Sequence, residues 1–235
     1  MLIFGGMSTR AEENYIKAIF KLNELSRPKQ SRESATVSTN AIAQELHTSA
    51  ASVTDMIQRL SEKGLVAYEK YRGVALTESG LQLAIHLLRR HRLWEVFLAE
   101  KLGFSWSEVH DLAEELEHIE STELTDRLDA FLGNPKFDPH GDPIPNAEGK
   151  FTLRHQLPLT DLSPETPAVV VGVREHSPSF LSHLDEIGVA IHKEIRVSER
   201  FAYDDSMRVD IAGELRTISG KVARNILVKP KAVIR

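Results

Sequence analysis

The sequence predicts a mainly α-helical protein with a smaller β component. It reads as an N-terminal winged helix-turn-helix, a helical middle segment and a small C-terminal β barrel. Three observations carry this. Two short helical segments joined by a tight turn give way, after Gly64, to a period of two. Apolar residues then recur at helical spacing from Glu78 to Leu132. Beyond a proline-rich stretch, short alternating segments follow one another with turn signals between them.

Each element has a local cause. Glu12 to Leu25 is an amphipathic helix whose inner face is Tyr15, Ile16, Ile19, Phe20 and Leu22. The polar segment "SRPKQSRESAT", 26–36, is a loop. Ser38 or Thr39 caps a short helix through Leu46, and His47 and Thr48 make the turn. Ser49 caps a second helix that runs to about Lys63 and is ended by Gly64. "LVAYEKYRGVALT", 65–77, gives two strands around a turn at Tyr71, Arg72 and Gly73. Long helices follow at 78–102, from a cap at Ser105 or Ser107 to about Glu120, and at 122–132. "PKFDPHGDPIP", 135–145, holds four prolines and a glycine and is a loop. "PAVVVGVRE", "EIRVSERF", "MRVDIAG", "ELRTISG" and "NILVKP" are the strands of the barrel, with one helix near 179–187. The expected domains are 8–77, 78–145 and 151–235.

Composition narrows the chemistry. The chain has 235 residues and no cysteine, so disulfides, thiolate metal ligands and cysteine nucleophiles are excluded. No apolar run reaches the length of a membrane span, and a cytoplasmic protein is expected. The net charge of −5 is unevenly spread. Residues 8–80 carry +1, residues 81–135 carry −6 and the remainder is neutral. The acidic surplus therefore sits in one helical segment, as a cation site would require.

That segment contains "HDLAEELEHIE", 110–120. Read as a helix, it brings His110, Glu114, Glu117 and His118 to one arc of its surface. Carboxylates on a core-facing arc are costly unless paired or coordinated. On the preceding helix His91 and Glu95 stand at i and i+4. Two candidate cation clusters result: Glu114, Glu117 and His118, and His91, Glu95 and His110. A carboxylate-bridged di-iron enzyme would need two Glu-x-x-His pairs from facing helices, and Glu115 with His118 is the only one. Gly-x-Ser-x-Gly and Walker-type loops are also absent, and no enzyme is expected.

A winged helix followed by "RRHRLWEVFL", "VHDLAEELEHIES" and "PHGDPIP" resembles the DtxR/MntR family of metal-dependent transcriptional repressors in its three-domain form. The resemblance spans Glu12 to the end of the chain and implies that the C-terminal domain is SH3-like, of the FeoA type. It implies a primary metal site at Glu114, Glu117, His118 and the first-helix residue Asn14. It also implies an ancillary site at His91, Glu95 and His110, completed from the C-terminal domain by His176 or Glu175. Iron-responsive members have cysteine where this chain has Glu114, which favours Mn(II), with Fe(II) second and Zn(II) able to bind in vitro. Lys17 stands where short manganese regulators carry a bridging glutamate, so two separated sites are expected.

The implied function is a homodimeric repressor that binds a palindromic operator of metal-homeostasis genes when a metal co-repressor is present. On the recognition helix, Ser49, Ala50, Ser52, Thr54 and Gln58 are positioned for DNA contact, with Arg72 at the wing tip. The rival reading is a winged-helix regulator with a non-metal effector, its acidic cluster serving only a dimer.

Overall fold

The computed structural model describes residues 8–26, 36–69 and 72–231. Most of the expected 26–36 loop and the turn residue Tyr71 lie outside them. Contacts divide the chain into two compact units. The first runs to Arg90 and includes 147–149; the second comprises 91–146 and 150–235.

In the first unit, α1 (Arg10–Ser26) lays Ile16 and Ile19 into a core with Val37, Ile42, Val53, Ile57, Leu60 and Val74. Ser38 caps α2 (Thr39–Glu45), its hydroxyl accepting from the Ala41 amide. Ser49 caps α3 (Ala50–Glu62) in the same way, accepting from the Ser52 amide. Between them His47 adopts φ 49°, a left-handed turn conformation that costs about 1 kcal/mol. β1 (Val66–Glu69) and β2 (Gly73–Leu76) form the antiparallel wing, and Val37 bridges to Val74. α4 (Glu78–Leu102) starts where Thr77 accepts from the Gly80 amide and donates to the Gly64 carbonyl. Gly80 is obligatory there, because a Cβ would stand 2.0 Å from the Leu65 carbonyl oxygen.

α1 departs from its simple apolar pattern at its start, where Glu12 and Glu13 are both buried. Glu12 accepts from the Thr9 amide and pairs with Lys63, the C-cap of α3, at 2.7 Å. Burial works to raise its pKa, but the hydrogen bonds from Lys63 and Thr9 prevail and hold it below its ordinary value. Glu13 lies 3.6 Å from Arg90.

The second unit holds the end of α4, then α5 (Val109–Leu116) and α6 (Thr122–Phe131). α5 is shorter than its pattern suggests: Glu117 is its C-cap and His118 lies in the following turn. Neither Ser105 nor Ser107 caps it. Ser105 instead donates its amide and hydroxyl to Glu108, the residue at the N-cap position. Ser121 caps α6, its hydroxyl accepting from the Leu124 amide. Leu102, Phe104, Ile119, Leu124 and Phe131 remain exposed on this helical part.

The β strands are β3 (Leu157–Pro158), β4 (Pro167–Val173), β5 (Glu194–Arg200), β6 (Met207–Ile211), β7 (Glu214–Ile218) and β8 (Ile226–Pro230). They form one antiparallel sheet in the order β3-β8-β4-β5-β6-β7. A register shift in β4 between Val170 and Gly172 bends it against β8. α7 (Pro178–Glu186) follows β4, and α8 (Gly220–Asn225), which has no counterpart among the predicted elements, precedes β8. Leu159, Val170, Leu181, Leu184, Ile195, Val209 and Val228 fill the core, and Trp106 packs on it from the α4–α5 turn.

Candidate metal centre

Helical spacing on α4 sets the first half of the site. One turn separates His91 from Glu95, both buried, and His91 Nε2 lies 3.0 Å from Glu95 Oε1. The other nitrogen, Nδ1, approaches Glu117 Oε2 to 2.6 Å and Glu114 Oε1 to 4.0 Å. His110 on α5 meets the His91 ring edge-on and stands 3.8 Å from Glu114. His118 Nε2 lies 3.9 Å from Glu117, whose side chain is completely buried. The two groups separated in the sequence reading are thus continuous, with His91 between them. His91, His110 and Glu114 present ligand atoms close enough together to hold one ion.

A second grouping of that kind is Glu95, Asp138 and His140, all buried. Glu95 Oε1 also lies 3.5 Å from His110 Nδ1 and 3.7 Å from His140 Nδ1. Burial opposes ionisation of Glu95, but the charge of His91, its hydrogen bond and the adjacent imidazoles of His110 and His140 keep the carboxyl well below the usual range. Burial also opposes the His140 cation, and Glu95 overrides it, pushing the imidazole up to about 9. Asp138 moves the other way. Desolvation, then Glu95 and Asp142, push it to about 7 against Arg92 and His140. Arg92, 3.4 Å from Asp138, and the His140 cation compensate part of this carboxylate charge.

The 137–145 loop holds His140 in a defined tautomeric frame. Its Nε2 faces the Trp106 carbonyl at 2.8 Å, so that nitrogen carries the proton and donates. Its Nδ1 is buried, with no hydrogen-bond partner, and points toward Glu95. A histidine anchored through one nitrogen turns the other toward Glu95, where a bound dication would take the place of its proton. The donor set contains only nitrogen and oxygen, which fits a hard or borderline divalent ion.

The other predicted residues fall as follows. His176 stacks on His140 at 4.7 Å and lies 3.9 Å from Asp142; Glu175 accepts from the Ser177 hydroxyl. Burial pushes the His176 imidazole down, against the pull of Asp142. Asn14, on α1 in the first unit, has a buried Oδ1 without a hydrogen-bond partner. On α3, Ser49, Ala50, Ser52 and Gln58 are exposed and Thr54 is half-buried. The Ser49 and Ser52 hydroxyls are 2.9 Å apart, and Thr54 donates to the Ala50 carbonyl. Arg72 on the wing is held by Glu69 at 3.0 Å. Asp138 and His140 escaped residue-level reading, although their spacing inside "DPHGDPIP" was the available signal.

Known proteins resemble this chain over most of its length. The family described as "Iron dependent repressor, N-terminal DNA binding domain" matches residues 7–74. "Iron dependent repressor, metal binding and dimerisation domain" matches 77–146, and the FeoA domain matches 157–230. The iron-dependent repressor IdeR of Mycobacterium tuberculosis is 36% identical over 182 residues, 74% of this chain and 75% of that protein. The diphtheria toxin repressor of Corynebacterium diphtheriae is 32% identical over 136 residues, 58% of this chain and 57% of that one. A solved manganese-dependent transcriptional repressor in complex with manganese superposes with a TM-score of 0.78 at 33% identity, covering 94% of this chain and all of that one. With its DNA-binding, metal-binding and FeoA parts in that order, the chain belongs to the iron-dependent repressor family, the metal-dependent transcriptional repressors that include the diphtheria toxin repressor.

Proposed function

We propose that this repressor is a cytoplasmic homodimer for which Mn(II) is the co-repressor, with Fe(II) as the second choice, and that it silences metal-homeostasis genes by binding a palindromic operator. The observation that carries the choice of metal is the donor set. Glu114, Glu117, Glu95 and Asp138 supply oxygen, histidines supply nitrogen, and the chain has no cysteine thiolate to favour a softer ion. Solved relatives include manganese repressors and the repressor ScaR with bound Zn(II) or Cd(II), so in vitro affinity for other cations is expected.

Glu114, Glu117, His118 and Asn14 form the proposed regulatory site. His91, Glu95 and His110 belong to the ancillary one, which Asp138, His140 and His176 extend. A bound dication would add positive charge among these carboxylates. The bare Asn14 amide oxygen makes α1 the part of the DNA-binding unit that answers to the metal. α1 in turn holds α3 through the pair of buried Glu12 with the exposed Lys63. Fixing α1 therefore fixes the helix that carries Ser49, Ala50, Ser52, Thr54 and Gln58 toward DNA, with Arg72 on the wing. In a dimer, two such helices meet successive major grooves about one helical turn apart. The exposed Phe131, Leu124, Ile119 and Phe104 are the proposed dimer surface within the dimerisation domain.

Fluorescence anisotropy of a labelled duplex from upstream of the gene tests this. Protein is titrated under anaerobic conditions with chelator, then with Mn(II), Fe(II) or Zn(II). Binding that requires metal, is strongest with Mn(II) and disappears in Glu117→Ala is the expected result. Equal binding with chelator and with every metal refutes the co-repressor mechanism and favours a non-metal effector.

A further inference from the structure

The loop that carries Asp138 and His140 does not stand alone. Asp138 Oδ1 accepts from the amides of His140 and Asp142 at 2.8 and 2.9 Å, which closes the turn on itself. Its far side rests on β4. The Val173 amide donates to the His140 carbonyl at 3.0 Å. Gly141 sits so close to the strand that a Cβ would lie 2.1 Å from the Val171 carbonyl oxygen and 2.5 Å from Gly172 Cα. This contact brings the carbonyls of Gly141 and Val171 toward a common point. Arg154 occupies it: Nη2 donates to Gly141 O at 2.7 Å and to Val171 O at 2.6 Å. Its guanidinium also lies over the Phe137 ring at 3.9 Å, and Nε donates to Gln156 at 3.0 Å.

We propose that Arg154 is a positioning residue for metal binding: with β4 of the FeoA domain as its platform, it fixes the Asp138–His140 loop so that His140 Nδ1 faces Glu95. The inference rests on the reading of Glu95, Asp138 and His140 as a metal cluster, and it assigns the C-terminal domain a part in building that cluster's geometry. Two carbonyl dipoles converging in a half-buried place repel one another unless a donor lies between them. A planar guanidinium serves both carbonyls and the aromatic face at once, which an ammonium cannot do. Without it, the bridge between the Gly141 and Val171 carbonyls is lost, and His140, the residue before it, is held less tightly. Outer-shell partners of this kind typically control metal affinity by about 10–100-fold.

The test is Mn(II) titration of the full-length chain, with free ion read by electron paramagnetic resonance, for the wild type, Arg154→Met and Arg154→Lys. The wild type is expected to bind two ions per chain. Arg154→Met is expected to keep one class of site unchanged and to weaken the other by about 10-fold or more. Arg154→Lys, which retains a donor but not the stack on Phe137, is expected to fall between them. In a Glu117→Gln background, the Arg154→Met effect should persist on the remaining ion. Two ions bound by Arg154→Met with wild-type affinity overturn the inference, as does equal weakening of both classes. If the wild type itself binds no Mn(II), the metal reading fails instead, a distinct outcome. Should Arg154→Met not fold, Arg154→Lys decides alone, since wild-type affinity at both classes there also overturns the role.

Discussion

Glu117→Gln is the sharpest perturbation of the proposed regulatory site. The side chain is completely buried and its carboxylate lies 2.6 Å from His91, so glutamine preserves shape while removing one negative charge. Loss of an outer-shell partner costs about 10–100-fold in metal affinity, and loss of a ligand's charge should cost at least the upper figure. At free Mn(II) about 100 times the wild-type Kd, a filled site stabilises the folded state by about 2.7 kcal/mol. Weakened about 100-fold, the same site contributes about 0.4 kcal/mol. The difference of about 2.3 kcal/mol is about 5–9 °C in melting temperature for a chain of this size. Differential scanning calorimetry with chelator and with Mn(II) measures it directly. The metal-induced rise should be several degrees smaller in the variant, with any residue coming from the Glu95–Asp138–His140 cluster. Equal rises in wild type and variant would refute the assignment of Glu117 as a ligand.

Two further outcomes are expected. Glu12 is held below its ordinary pKa of 4.5 in the folded chain, so its pair with Lys63 contributes fully above that value and is lost as pH falls through the folded one. Urea melts of the metal-free protein between about pH 3 and 7 should therefore lose stability less steeply toward acid in Lys63→Met than in the wild type; identical profiles would remove Glu12 as a source of acid sensitivity. Phe131 is 66% exposed on α6 beside Phe97, and Phe131→Asp should raise the dimer dissociation constant about 10-fold or more by sedimentation velocity. An unchanged constant would place the dimer surface elsewhere.

The elements that sequence reading located best are those with local causes. Ser38 and Ser49 as caps, Gly64 at the end of α3 and the alternating strands β4 to β8 all follow from chemistry within a few residues. α5 is shorter than its polar arc, which continues past Leu116 while the backbone leaves the helix at Glu117. The burial of Glu12 and Glu13 could not be read locally, since it depends on Lys63 and Arg90, far along the chain. His91 and Glu95 were legible as an i, i+4 pair, and Glu114 to His118 as an acidic run. The contact of His91 with Glu117, and the arrival of His140 beside Glu95, are products of tertiary packing. His140 in particular faces Glu95 because β4, more than 25 residues further on, supports its loop.

Glu95 offers the same oxygen to His91, His110 and His140. On the metal reading all three imidazoles belong to the ancillary site, so this one oxygen joins its helical half, His91 and His110, to its loop half, His140. A displacement of the loop is therefore felt by a donor that α4 and α5 also hold. The carboxylate works as a hinge pin between a helix pair and a loop seated on a sheet.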